Sequence, residues 1–297
     1  MIGVIIQGPL ITFGQGPNNS IEGFNSCYTI TENIKAINRL GFNYIISTWN
    51  ANNSDELTII KQLNDLNLNL ITIDSPNIVD PDHRYKHHFG INAGLNELSK
   101  DVNFIVKIRT DQLYQNKFWD FMVSISEQDT EKLCISELYY EPFFMGDFIY
   151  AGKRSVIEKF IIGFLDYKRT NFHPCLAMDI GIKYYNTCKF KKFPLPLFVY
   201  FVFMPNYTRN LWNNFIQDNI IVIPKNVRNG ILWRNIPISK IITCDLFRFN
   251  SNPIEKNINF LERLFNYITH IKIYLLKAHP KIAKNLRKLK KFPEVLR

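Results

Sequence analysis

Ile2-Gly3-Val4-Ile5-Ile6-Gln7-Gly8-Pro9, at the head of the 297-residue chain, is a continuous apolar run closed by a Gly-Pro exit. A strand without polar alternation is buried on both faces, as in a parallel sheet covered by helices on either side. The following residues repeat this pattern. Thr29-Ile30-Thr31-Glu32 has capping-box spacing, Ile34, Ile37 and Leu40 follow at helical spacing, and Gly41 is a stop. Residues 44–47 read as a second strand, 55–66 as a helix, 68–73 as a third strand ending at Asp74, and 83–99 as a helix. Residues 103–107 read as a fourth strand that runs into Ile108-Arg109-Thr110-Asp111. Strands alternating with helices predict the α/β class, with a mostly parallel central sheet flanked by helices.

The second half is less regular. Residues 133–136 and 148–150 read as strands, 155–167 as an amphipathic helix, and 179–185 as a short helix. The aromatic, Pro-punctuated stretch 189–205 fits neither state. After Asn250 a helix is expected over 254–276, then a break at Pro280 and a basic helix behind it. The domain reading is therefore residues 1–250 as the α/β domain and 251–297 as a basic, amphipathic C-terminal helical extension.

Composition narrows the function classes. Hydrophobic residues at 46% and charged residues at 21% are ordinary globular usage, which excludes wholesale disorder. The net charge of +10 is uneven, because residues 272–297 hold nine basic side chains and one acid, Glu294. A nucleic-acid partner would need cations spread over a folded face, so none is expected. A basic, aliphatic terminal segment fits an anionic membrane surface. The five cysteines are odd in number, with no C-x-x-C, so the chain is neither a zinc cage nor a disulfide framework. With no secretory signal and no transmembrane span read in the sequence, the expected place is the cytoplasm, peripheral at the inner face of the cytoplasmic membrane.

In open α/β sheets, ligands bind beyond the carboxyl ends of the strands. The polar residues there are Gln7-Gly8-Pro9, Thr48-Trp49-Asn50, Asp74 and Arg109-Thr110-Asp111. Gly14-Gln15-Gly16 is followed by Pro17, which is not a dinucleotide fingerprint, and no Gly-Lys-Ser/Thr phosphate loop occurs. Asp111 at a strand end is a candidate ligand for Mg²⁺ or Mn²⁺, or equally the N-cap of a following helix. Arg84 with a helix N-terminus is a candidate diphosphate site, or else part of a solvated charge run. Asp74 is a ribose acceptor or a turn residue. Asp147 and Asp179, acids among apolar neighbours, are candidate general bases or members of buried ion pairs. Trp49 and Trp119 are candidates to stack a base or sugar, with core packing the better account of Trp119.

Val4-Ile5-Ile6-Gln7-Gly8-Pro9-Leu10, Ser47-Thr48-Trp49, Asn92-Ala93-Gly94-Leu95 and Lys107-Ile108-Arg109-Thr110-Asp111, in that order, resemble the WavE family of lipopolysaccharide-synthesis proteins. Gly146-Asp147-Phe148-Ile149-Tyr150-Ala151-Gly152 looks like that family's Asp-aromatic-Gly segment, and the resemblance spans about residues 1–190. It implies a GT-A-like nucleotide-diphospho-sugar transferase fold and a glycosyltransferase acting in surface polysaccharide (lipopolysaccharide or capsule) synthesis. By that likeness Gln7, Gly8, Pro9 and Asp74 line the base and ribose. Asp111 takes the place of the acidic Asp-x-Asp motif that binds metal and diphosphate, but position 109 is Arg, so one acid of that motif is replaced by a cation.

The expected partners are thus a nucleotide-sugar donor, a saccharide or lipid-linked saccharide acceptor and an anionic membrane, with Mn²⁺ or Mg²⁺ as a candidate cofactor. Asp179 is the first candidate base and Asp147 the second. A nucleotidyl- or phosphotransferase on a similar sheet is the rival enzyme class. The non-enzyme rival is an inactive, membrane-associated module that binds nucleotide sugars.

Overall fold

Strand β1 (Ile2–Gln7) is buried along its whole length and forms the centre of the molecule. Its alternate side chains feed two separate cores: Val4 and Ile6 point into one layer, Ile5 into the other. Each fully buried aliphatic side chain is worth about 1.5–3 kcal/mol, so a strand that feeds both layers ties the fold together. The computed structural model describes residues 1–12, 23–77, 84–136, 138, 143, 145–165, 176–189 and 203–238.

The other strands of the main sheet are β4 (Asn43–Trp49), β5 (Leu70–Ile73), β6 (Phe104–Arg109), β8 (Leu133–Ile135), β9 (Tyr150–Lys153) and β10 (Ile220–Val222). They lie in the order β10-β8-β9-β6-β1-β4-β5. Neighbours are parallel except at β9, which runs antiparallel to both β6 and β8. The sheet is therefore mostly parallel, as the sequence predicts. The chain steps outward from β1 through β4 to β5, then crosses back to place β6 on the opposite side of β1. That reversal opens a crevice at the carboxyl ends of β1 and β6.

Helices α1 (Cys27–Arg39), α2 (Ser54–Asp65) and α4 (Asn116–Ser126) cover one face, contributing Ile30, Ile34, Ile59, Leu63, Phe118 and Trp119 to its core. Helices α3 (Arg84–Glu97), α5 (Arg154–Leu165), α6 (Leu176–Lys189) and α7 (Pro205–Asn219) cover the other, contributing Ile91, Leu95, Phe160, Tyr184, Trp212 and Phe215. Trp119 is core, as expected. A short helix α8 (Lys225–Arg228) leads back to the sheet side.

Several expectations shift. Helix α1 begins at Cys27 rather than after Thr29. Thr29 is not a cap, because its hydroxyl donates to the carbonyls of Ser26 and Thr110, tying the helix to the end of β6. Glu32 pairs with Lys35 instead of reaching back. At α2 the cap is reciprocal: Asn53 Oδ1 accepts from the Glu56 amide, and Glu56 accepts from the Asn52 amide. The strand expected over 148–150 starts at Tyr150 and runs to Lys153.

Two minor sheets have no counterpart in the sequence reading. β2 (Ile11–Thr12) pairs with β3 (Phe24–Asn25), and β7 (Gln112–Tyr114) pairs with β11 (Ile231–Trp233), which turns into β12 (Ile236–Pro237). The β11–β12 turn holds Arg234 and Asn235 at φ 50° and 68°, the left-handed pair that a tight hairpin requires. The expected C-terminal extension, residues 251–297, and residues 190–202 of the ambiguous stretch lie outside the described residues.

Candidate active site at the carboxyl edge of the sheet

Gln7 ends β1 in register with Arg109 of β6 on one side and Ser47 of β4 on the other. Immediately after it, Gly8 sits at φ 150° and its amide donates to the Ser47 carbonyl. A Cβ at Gly8 would lie 2.6 Å from Thr110 Oγ1. That hydroxyl donates to the Pro9 carbonyl at 2.8 Å, so glycine here lets the exits of β1 and β6 touch. Gln7 is buried beneath α3, and its Oε1 has no hydrogen-bond partner among the described residues. An orphaned buried amide oxygen at a strand tip is unusual outside a functional edge.

Arg109 and Asp111 form the electrostatic centre. Arg109 presents a fork to Asp111, with Nε 2.9 Å from Oδ1 and Nη2 3.1 Å from Oδ2. Asp111 Oδ2 also accepts from Trp233 Nε1 at 2.9 Å and Arg234 Nε at 3.2 Å. The Arg109 guanidinium lies over the rings of Phe148, at 5.6 Å, and Trp233, at 5.9 Å. Its Nη1 stands 3.8 Å from Asp147 Oδ2, beyond hydrogen-bonding distance. Burial alone would raise the Asp111 carboxyl, but the Arg109 guanidinium, the Trp233 indole and Arg234 outweigh it and bring it down to about 2. Burial works against the charge of Arg109, which is nonetheless raised by Asp111 and Asp147.

Below this centre lies Lys107, fully buried on the α3 face. Its Nζ is 3.0 Å from His87 Nε2, 2.9 Å from the Asp147 carbonyl and 3.4 Å from the Phe148 carbonyl. Burial pushes the Lys107 amine well below its ordinary value; Asp147 opposes this and Arg109 adds to it. His87 is likewise lowered, by burial and then by Lys107. Lys107 therefore pins the backbone of residues 147–148, which carries the Asp147 carboxylate and the Phe148 ring to Arg109.

The sequence-derived candidates fall into three groups. Gln7, Gly8, Pro9, Arg109, Asp111 and Asp147 come together at the crevice. Thr48, Trp49 and Asp74 lie farther along the same edge, on β4 and just past β5. Thr48 is two residues from Ile46 and shares its face, opposite to Gln7, and its buried Oγ1 has no partner among the described residues. Asp74 is exposed and accepts from Asn50 Nδ2 at 2.6 Å. Arg84 opens α3 and Asp179 lies in the first turn of α6, but the side chains of both lie outside the described residues. Lys107, His87, Phe148, Trp233 and Arg234 went unpredicted as site residues. Only Lys107 carried a signal, a cation inside an otherwise apolar strand.

Asp111, the candidate ligand for Mg²⁺ or Mn²⁺, is committed to other partners in the structure. Both carboxylate oxygens already accept from cationic or indole donors, and the residue is 1% exposed. Two guanidiniums beside the ion would oppose it by about 4 kcal/mol per unit charge pair at ~4 Å and an effective dielectric of ~20. Among the described residues, no three His, Cys, Asp or Glu side chains are grouped to hold a metal. The N-cap alternative for Asp111 fails, since the next helix, α4, is capped at Gln115.

No family model matches the chain, and no curated protein matches it. Among solved structures it is similar to a 4-diphosphocytidyl-2C-methyl-D-erythritol synthase from Anaerococcus prevotii, with 10% identity and a TM-score of 0.38 over 76% of this chain and 90% of that one. It is also similar to a protein from Bacillus anthracis described as a glucose-1-phosphate thymidylyltransferase, with 10% identity and a TM-score of 0.35 over 54% of this chain and 74% of that one. A third similarity is to the galactosyltransferase LgtC in complex with donor and acceptor sugar analogs, with 11% identity and a TM-score of 0.35 over 63% of this chain and 70% of that one.

Proposed function

We propose that the chain is a glycosyltransferase that moves a sugar from a nucleoside-diphosphate donor to a saccharide acceptor. The observation that carries this reading is the crevice where the chain reverses between β1 and β6. There the Gly8 exit lies against Thr110, the residue next to Arg109, whose guanidinium is locked in place by Asp111, Phe148 and Trp233. The base and ribose lie along Gln7, Gly8, Pro9, Trp49 and Asp74, whereas Thr48 is buried on the opposite face of the sheet, and the diphosphate lies beside Gly8 and Arg109. The first turn of α3, with Arg84, closes the same edge and adds backbone amides suited to an anion.

In an inverting transfer, an acceptor hydroxyl oxygen bonds to the anomeric carbon as the bond from that carbon to phosphate breaks. The electron pair stays on the departing diphosphate, and the hydroxyl proton passes to a carboxylate. Asp147 is the base we favour, since its partly exposed carboxylate stands at the crevice; Asp179 is the second candidate. The WavE-like motifs support a role in lipopolysaccharide or capsule synthesis. The basic C-terminal segment supports work on a lipid-linked acceptor at the cytoplasmic membrane face.

The test is a panel of nucleotide sugars, following release of nucleoside diphosphate. Release by the wild type, reduced about 10²–10³-fold in Arg109→Gln, supports the reading. Pyrophosphate release from nucleoside triphosphate and a sugar phosphate would instead assign nucleotidyl transfer. Binding without turnover would assign an inactive module.

A further inference from the structure

We propose that the donor's diphosphate is held at this edge by the Arg109 guanidinium directly, without a bridging divalent cation, and that Asp111 positions that guanidinium. The inference rests on the functional reading above and specifies the charge chemistry of the same site.

Four features combine. Asp111 takes the Nε and Nη2 edge of Arg109 as a two-point fork, which fixes the plane of the guanidinium. Phe148 and Trp233, with ring centroids 5.1 Å apart, present their rings to that plane and keep it from swinging. Nη1 is left without a hydrogen bond among the described residues, and a fifth of the side chain is exposed at the strand's carboxyl end. Finally, Arg234 supplies a second cation to Asp111, so that carboxylate is shared between two guanidiniums, and the other acid near Arg109, Asp147, stands 3.8 Å from Nη1 without a hydrogen bond to it. The position where an acid would ligate a metal through its oxygens is thus rebuilt. The carboxylate faces inward to its cations, and a preorganised cation faces the ligand. Arginine suits this task better than lysine, because the fork that binds Asp111 sets the direction of the remaining N–H groups.

Inorganic pyrophosphate is the probe, titrated into the full chain by calorimetry with EDTA and, separately, with Mn²⁺. Direct Mn²⁺ binding is followed by electron paramagnetic resonance. Pyrophosphate is expected to bind equally well in EDTA and in Mn²⁺, with affinity falling about 10–100-fold in Arg109→Gln. Arg109→Lys is expected to fall between the two. Asp111→Asn separates the accounts: it breaks the fork that orients Arg109, so pyrophosphate affinity falls to the same extent in EDTA and in Mn²⁺. A metal ligand lost at the same position would weaken binding in Mn²⁺ alone. Thermal melts of each variant restrict the comparison to folded protein. Mn²⁺-dependent pyrophosphate binding that is lost in Asp111→Asn overturns the inference, as does no pyrophosphate binding under either condition. Nucleotide-sugar turnover is read separately, so a metal-dependent but active enzyme would sink this inference and leave the functional reading standing.

Discussion

Asp111 is the residue on which the site's geometry turns, and its ionisation has a consequence for stability. Its carboxyl is lowered from 3.8 to about 2 in the fold. The stabilisation is therefore present in full above about pH 4 and lost as pH falls through about 2, for a total near 2 kcal/mol. Urea titrations from pH 7 to pH 2 should show this acid loss in the wild type. Asp111→Asn should be less stable at neutral pH and flatter across the acid range. Lys107 makes a second case. Lys107→Met keeps volume and apolar fit but strips the donor from two buried carbonyls, so a loss of about 1–3 kcal/mol is expected in urea denaturation. An unchanged midpoint would show that Lys107 does not hold residues 147–148. Sequence reasoning reached Arg109 and Asp111 because both terminate an apolar strand. It missed Trp233 and Arg234, which lie 122 and 123 positions away from Asp111, since no local pattern records which distant turn folds onto a carboxylate.

At the scale of elements, the early strands and helices were legible because each carries a period or an uninterrupted apolar run bounded by Gly, Pro or Asp. The β7–β11–β12 sheet was not. Its strands are two or three residues long, below any periodicity, and its turn uses Arg234-Asn235 where a glycine would have announced it. The reversed direction of β9 was equally silent, because strand polarity is set by the connection that returns the chain and not by the strand's own residues. Packing between elements yields a sharper test at Gly181 of α6. A Cβ there would run into the Phe143 carbonyl, and Phe143 already sits at φ 67° with its ring against Tyr185 and Trp212. Gly181→Ala is expected to cost about 1–3 kcal/mol through overpacking, read as a lowered melting temperature. A variant that melts with the wild type would mean that α6 does not approach Phe143 this closely.

Across the whole molecule, the strand order gathers the chemistry at one edge, while the sequence puts eight units of the net charge of +10 in the last 26 residues. On the proposed function, those two facts fit a catalytic domain brought to an anionic surface by its basic segment, each basic residue contributing about 1 kcal/mol near such a surface. The full chain should therefore co-sediment with phosphatidylglycerol vesicles at low ionic strength, release at high salt, and ignore phosphatidylcholine vesicles. Salt-insensitive or absent binding would remove the membrane from the account.

On the proposed function, one crevice, between the carboxyl ends of β1 and β6, receives the donor's diphosphate. A crystal structure with a nucleoside diphosphate bound tests it most directly. The phosphate oxygens are expected within hydrogen-bonding distance of Arg109, with the base toward β4 and β5. Nucleotide seated elsewhere, for instance in the amide-lined groove formed by Gln115, Asn116, Asn226 and Asn229, with Arg109 untouched, would contradict it.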